Sequence, residues 1–231
     1  MNDTNNLGPL ANLVGQWYGN KGQDFFPTPG NGPQITSEYT ELMTFTPIAP
    51  VQNGPQTLYG VQYTTVLTGK EYIQQQHQES GYYLWEPTSN TIIKTFAIPR
   101  GEAIMAKGGV VDPSNLPDQT GANKQANEMF VNSKLQISNN RELISLSANS
   151  SDVSYGILNT PFLDKYFDII EFGAIITVDT VNQEQKDPYD PSKSINVPRL
   201  QLNYFEASAL KYTKDGTIEY HLDSNTLWKQ V

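Results

Sequence analysis

His77 and His221 are the only imidazoles in the chain, which contains no cysteine. That inventory limits the chemistry at once. Disulfides, thiolate metal sites and cysteine nucleophiles are excluded. Two imidazoles do not support a zinc or non-haem iron centre built on several of them. His77 lies in an unusually polar run, with Gln74, Gln75, Gln76 and Gln78 around it and Glu79 two residues on. On a strand, His221 would share a face with Glu219 and Asp223. Arg100 and Lys107 are cations that could pair with a ligand carboxylate; solvated surface charge is the alternative for each. No Gly-x-Ser-x-Gly elbow is present and no acid pair stands out. The Asp187–Asp190 run lacks the spacing of a calcium loop. Asn149-Ser-Ser151 fits a glycosylation pattern, which carries no meaning in a cytoplasmic chain.

The elements that must position these residues read as strands. Aromatic residues make up 11% of the 231, with 13 Tyr and 9 Phe, which favours strands over helices. Ile35 to Pro47 alternates, with Tyr39, Met43 and Phe45 on one parity and Glu41 as a polar interruption. Leu58 to Leu67 alternates again, and Thr68-Gly69-Lys70 reads as a hairpin tip. Further strands are expected over Glu71–Trp85, Thr91–Ile98, Ala103–Val111, Glu142–Ala148, Gly173–Val181, Leu200–Tyr212 and Thr217–Trp228. Asp112–Gln125 reads as a polar loop, Glu128–Ile137 as helix or strand, and Phe162–Phe172 as a short helix. Leu7–Val14 reads as a helical turn that plugs one end of the fold. Met43, Phe96 and Met105 read as core, with a cavity lining as the alternative.

Short strands with a turn every ten or so residues signal an antiparallel sandwich or barrel. Closing the sheet removes its edges, and about ten strands leave room for a ligand. The expected fold is therefore all-β, a single mostly antiparallel barrel of about ten strands over residues 1–231. Polar loop insertions are expected at about 112–140 and 182–198. A sandwich with a filled core is the alternative. A net charge of −9 disfavours a nucleic-acid partner. Met1–Leu10 lacks the pattern of a secretory leader, and no apolar window reaches membrane-helix length. A cytoplasmic location without a membrane partner is expected, and a homodimer stays open.

Four stretches together resemble the nitrobindin family of haem-binding β-barrels. Pro9-Leu-Ala-Asn-Leu-Val-Gly-Gln-Trp-Tyr-Gly19, with Gly22 after it, is similar to the family's opening Gly-x-Trp-x-Gly-x-Gly, with Lys21 lengthening the glycine spacing by one. His77-Gln-Glu-Ser-Gly81 resembles its His-x-Glu-x-Gly strand. Ile98-Pro-Arg-Gly101 through Ala106-Lys-Gly108 resembles the strand pair that follows. His221-Leu-Asp-Ser-Asn-Thr-Leu-Trp-Lys229 resembles the terminal His-Leu segment, although Tyr220 stands where the family often has Pro.

The resemblance implies haem b as cofactor, His221 as the iron ligand and His77 as a pocket residue. It also brings Trp17, Gly15, Gly19 and Arg100 into the cofactor-binding set. By residue type alone, Trp17 reads as a barrel-end plug and the two glycines as backbone devices. Strand parity opposes the resemblance at His221. If Ile218, Tyr220 and Leu222 face inward, His221 faces solvent unless a bulge near Asp223 reverses the phase. The implied function is reversible nitric oxide binding or isomerisation of peroxynitrite at a ferric haem, which leaves open whether the protein is an enzyme. The rival is a lipocalin-like, non-enzymatic carrier of a small apolar ligand such as a fatty acid or tetrapyrrole.

Overall fold

The computed structural model describes residues 6–27, 35–70, 75–117, 120–135, 143–161, 165–190 and 192–230. A 3-10 turn, Gly8–Leu13, leads into β1 (Gly15–Phe26), β2 (Ile35–Pro47), β3 (Val51–Asn53), β4 (Gln56–Gly69) and β5 (Gln75–Glu86). Then follow β6 (Thr91–Ile98), β7 (Glu102–Val111), α1 (Gly121–Asn132), β8 (Leu143–Asn149) and β9 (Ile157–Asn159). The last three are β10 (Phe167–Lys186), β11 (Ser194–Tyr212) and β12 (Ile218–Lys229).

Ten of these strands pair antiparallel in the order β2-β1-β12-β11-β10-β8-β7-β6-β5-β4, and β2 pairs β4 to close the cylinder. β3 adds to β4 and β9 to β7. Closure leaves the body of the barrel without a free edge, which is its advantage over an open sheet; only the β10–β11 arm runs beyond it. The one α-helix among the described residues has 12 residues, and no described helix is long and apolar enough to cross a membrane.

One end of the lumen is closed by apolar packing, with a smaller pocket left beside the N-terminal turn. Leu7, Leu10 and Leu13 of the 3-10 turn and its approach plug that end against Trp17, Phe45, Val61 and Ile92, all buried. Trp17 donates its indole N–H to the Leu13 carbonyl at 2.6 Å, so its one polar atom is satisfied inside the plug.

Two strands break their alternation. In β1 the register shifts on both sides of Asn20-Lys21, where the extra residue in the glycine spacing lies. The shift brings Asp24 and Phe26 round to the lumen. In β10 a shift between Ile169 and Glu171 puts Phe167, Ile169 and Phe172 all inward. Residues 167–172 are therefore strand, not the expected helix, and the bulge is what hid their period. Residues 162–164 lie outside the described set.

α1 starts inside the segment expected as loop. Ala122, Ala126, Met129 and Phe130 recur on one face and cover the outside of the barrel at Leu143, Ile175, Phe205 and Ala207. The Glu171 carboxylate accepts the Ala122 N–H at 2.9 Å and so serves the helix N-terminus. The expected loop insertion at 182–198 is also corrected. Pairing of β10 with β11 runs on to Lys186↔Ser194, leaving a turn between them. The polar side chains that suggested a loop are a hairpin arm, much of it exposed.

Trp17 is the largest fully buried side chain at the plug. Trp17→Ala should lower unfolding free energy by about 3–5 kcal/mol, read by equilibrium urea denaturation. A loss below about 1 kcal/mol would contradict its role as the plug's centre.

Candidate functional site

The other half of the lumen is a cavity of about 580 Å³. That is within the size range of small-molecule and cofactor sites. Phe26, Phe96, Phe167, Ile169, Phe172 and Leu210 supply apolar wall, and both histidines line it.

His221 faces inward, and no bulge is needed. β12 pairs with β11 in unbroken register from Gln201↔Trp228 to Lys211↔Ile218. His221 and Asp223 line the cavity, and Leu227 on the same parity is fully buried in the core. The parity reading failed because Leu222, on the opposite parity, packs outward with the cluster beneath α1. An apolar side chain here marks a covered outer face, not the lumen.

The imidazole of His221 is held by one nitrogen. Its Nε2 lies 2.5 Å from Asp24 Oδ1, and its ring meets the Phe26 ring edge-on at 5.2 Å. A carboxylate on one ring nitrogen fixes orientation and tautomer, and Nδ1 has no hydrogen-bond partner among the described residues.

His77 on β5 is held at both nitrogens. Arg100 Nη2 lies 2.9 Å from Nδ1, and Glu79 Oε1 lies 3.0 Å from Nε2. A guanidinium only donates, so Nδ1 accepts and Nε2 carries the proton toward Glu79. As placed, His77 has no free lone pair for a metal.

Under the cavity lies a buried charge cluster. Lys94, 2% exposed, bonds Glu206 at 2.6 Å and stands 3.8 Å from Glu79. Its ammonium also sits 4.2 Å from the Phe96 ring centroid and 5.2 Å from that of Phe172. Burial works against the Lys94 charge, but Glu206, Tyr83 and Glu79 hold its pKa above the ordinary lysine value. Burial would also raise Glu79. The Lys94 charge, with bonds from His77 and Tyr63, instead brings it down to about 2. Glu206 moves up, because burial and the Glu79 charge outweigh Lys94. Two carboxylates share one ammonium. Glu206 is the nearer, but Glu79, with the extra donors, takes the negative charge first.

A second polar cluster links the cavity to the packed half. Tyr39 donates to Asp223 and lies 2.7 Å from the Tyr204 hydroxyl. Tyr204 donates to Glu41 at 2.9 Å, as does the Asn225 amide at 2.9 Å, and Thr65 donates at 2.6 Å. Burial pushes the Glu41 carboxyl up to about 7 despite these bonds. Burial also raises Asp223 well above the usual range, with Glu41, Asp24 and Glu206 adding to it. Glycines make room for this cluster. A Cβ on Gly22 would lie 2.1 Å from the Tyr39 ring, and one on Gly19 would lie 2.6 Å from the Thr226 carbonyl and 3.0 Å from the Asn225 amide.

The residues read from sequence thus divide. His77, His221 and Arg100 border one cavity, with Arg100 exposed at its rim. Trp17, Gly15 and Gly19 do not line it: Trp17 centres the plug, Gly15 opens β1 at that end, and Gly19 admits Asn225. Phe96 lines the cavity, Met43 is core, and Met105 is exposed. Lys107 lies outside, 3.9 Å from Asp152. Sequence reading missed Lys94, Glu79, Glu206, Glu102, Tyr39, Tyr204 and Asp223 as members of the site. A charge on an inward parity, such as Lys94 between Ile92 and Phe96, was the available signal.

The family model described as "THAP4-like, heme-binding beta-barrel domain" matches residues 6–147. That span includes His77 and stops before β10, so His221 lies beyond it. A crystal structure of Rv2717c from M. tuberculosis superposes with a TM-score of 0.51 at 15% identity, covering 97% of each chain. At that identity the likeness is one of fold. No curated protein matches.

Glu41 makes stability depend on pH with a definite sign. Its folded pKa lies above the unfolded value, so its contribution is full below about 4.5 and is lost as pH rises through about 7. Glu41→Gln keeps an uncharged acceptor for Tyr204 and Asn225. The variant should gain on wild type by up to about 3 kcal/mol between pH ~5 and pH ~8, read by urea denaturation at each pH. An unchanged difference between the two pH values would contradict an uncharged Glu41.

Proposed function

The chain belongs to the family of THAP4-like, heme-binding β-barrel domains, and from that premise we propose that its cavity holds haem with His221 as the axial ligand. The observation that carries the reading is His221 itself. It is an imidazole on a cavity wall, oriented through one nitrogen by Asp24 and with the other unengaged among the described residues. This is the outer-shell arrangement that metal-ligating histidines use.

The residues present fit the group. Aromatic and aliphatic walls suit a porphyrin face, and Arg100 at the rim suits a propionate. The absence of cysteine favours haem b, held without thioether bonds. Bound there, with the His221 imidazole to hold it, haem would supply an iron able to bind a small ligand.

The chain's own residues do the rest. Asp24 fixes the His221 ring. Phe26, packed edge-on to that ring, limits its rotation and keeps water from one side. β6 lies five strands from β12 either way round the barrel, and its neighbours β5 and β7 put His77 and Glu102 on the wall facing His221. That wall would border the space left for nitric oxide, or for peroxynitrite as a substrate of isomerisation.

Titration of the purified protein with hemin should shift the Soret band with one-to-one saturation. His221→Ala should weaken binding at least about tenfold and change the ligand-field bands, whereas His77→Ala should leave ligation in place. Wild-type protein that leaves the hemin spectrum unchanged would refute the proposal.

A further inference from the structure

Among the carboxyl groups facing the cavity, Glu102 is set apart by its lack of partners. Glu79 and Glu206 share Lys94, Asp24 holds His221, Asp223 accepts from Tyr39, and Glu38 pairs with Lys70. Glu102 opens β7 and points into the lumen, and it is nine-tenths buried. Its side chain has no hydrogen bond or ion pair among the described residues. Asn159 Oδ1 is the one buried, unpaired side-chain atom among the described residues, so the Glu102 carboxyl is not sealed off; a carboxyl open to the lumen without a protein partner among those residues calls for an explanation.

Its surroundings suggest one. Burial first, and then the neighbouring Glu79 charge, push the Glu102 carboxyl up to about 7; His77 and Arg100 only partly offset this. The group is therefore available as an acid that can donate near neutral pH. Glu79 and His77 come from β5, Arg100 from the β6–β7 turn and Glu206 from β11. β9, paired with it through Asn159, contributes no charge. Asp24, Glu38, His221 and Asp223 lie across the cavity.

We propose that Glu102 is the hydrogen-bond donor the cavity offers to a small anionic ligand held across from His221. The inference rests on the haem reading above and specifies a residue on the open side. The other carboxyls make the lumen a poor place for a free anion, so a donor at this point decides whether one is accommodated. An anion and a proton on Glu102 then support each other. Binding draws the proton on, and loss of the proton expels the ligand. His77, with its proton committed to Glu79, does not compete for the role.

Azide is the probe, with hemin-loaded wild type, Glu102→Gln and Glu102→Leu titrated by absorption from about pH 6 to about pH 8.5. Glutamine keeps a donor at every pH, and leucine removes it. At about pH 6, wild type and E102Q should bind azide alike, and E102L about tenfold more weakly. Above about pH 7 the wild-type Kd should rise relative to that of E102Q, approaching tenfold per pH unit; the ratio cancels competition from hydroxide. If E102L fails to fold, the wild-type to E102Q ratio decides alone. Equal Kd values at every pH, in proteins that all shift the Soret band, would overturn the role of Glu102 and leave the haem reading intact. A wild type that leaves hemin unshifted would overturn both.

Discussion

The buried ammonium of Lys94 is the interaction on which the cavity depends. It lies where the packed half of the barrel meets the hollow half, bonded to Glu206 and close to Glu79 and four aromatic rings. A lone buried charge would cost several kcal/mol, and two lone carboxylates would repel each other. Together they form a polar floor that apolar side chains cannot replace piecemeal. Removing Lys94 alone would leave Glu79 and Glu206 unmatched, a change in the range of about 3–5 kcal/mol. The floor also bonds His77 through Glu79, so the orientation of a cavity-wall imidazole is tied to the charge beneath it.

The barrel is wide enough that side chains do not fill it, and the sequence divides its length into two regimes. Trp17 and the leucines of the N-terminal turn close one end with apolar volume. At the other end the inward positions alternate between aromatic groups and acids, and tyrosines bond the acids together. Glycines at 19 and 22 let Asn225 and Tyr39 reach that network. They act on the cavity indirectly, through the groups they admit.

Much of this order is legible in the amino-acid pattern. Period-two alternation identifies most strands, and that of Tyr39, Met43 and Phe45 names an inward face correctly. The extra residue at Lys21 is visible, but its consequence is not. A bulge changes which side chains face inward only once the neighbouring strands are known. Parity misleads at His221 because α1, itself read partly as loop, covers Leu222 from outside. The phase of β10 is hidden by its own bulge. The Lys94–Glu206 pair joins residues 112 positions apart, and no local pattern announces such a partner. What the family resemblance contributes is attention to both histidines, a point on which residue-by-residue reading alone is divided.

The central claim is spatial: one imidazole on β12, aimed across a cavity by Asp24, is the bond that would hold an iron porphyrin. An experimental structure of the protein crystallised with hemin tests it most directly. The account predicts the porphyrin inside the lumen, stacked among Phe26, Phe167 and Phe172, with His221 bonded to iron and the Glu102 side free for a small ligand. Porphyrin on the outer surface, or iron bonded by a residue other than His221, would contradict it.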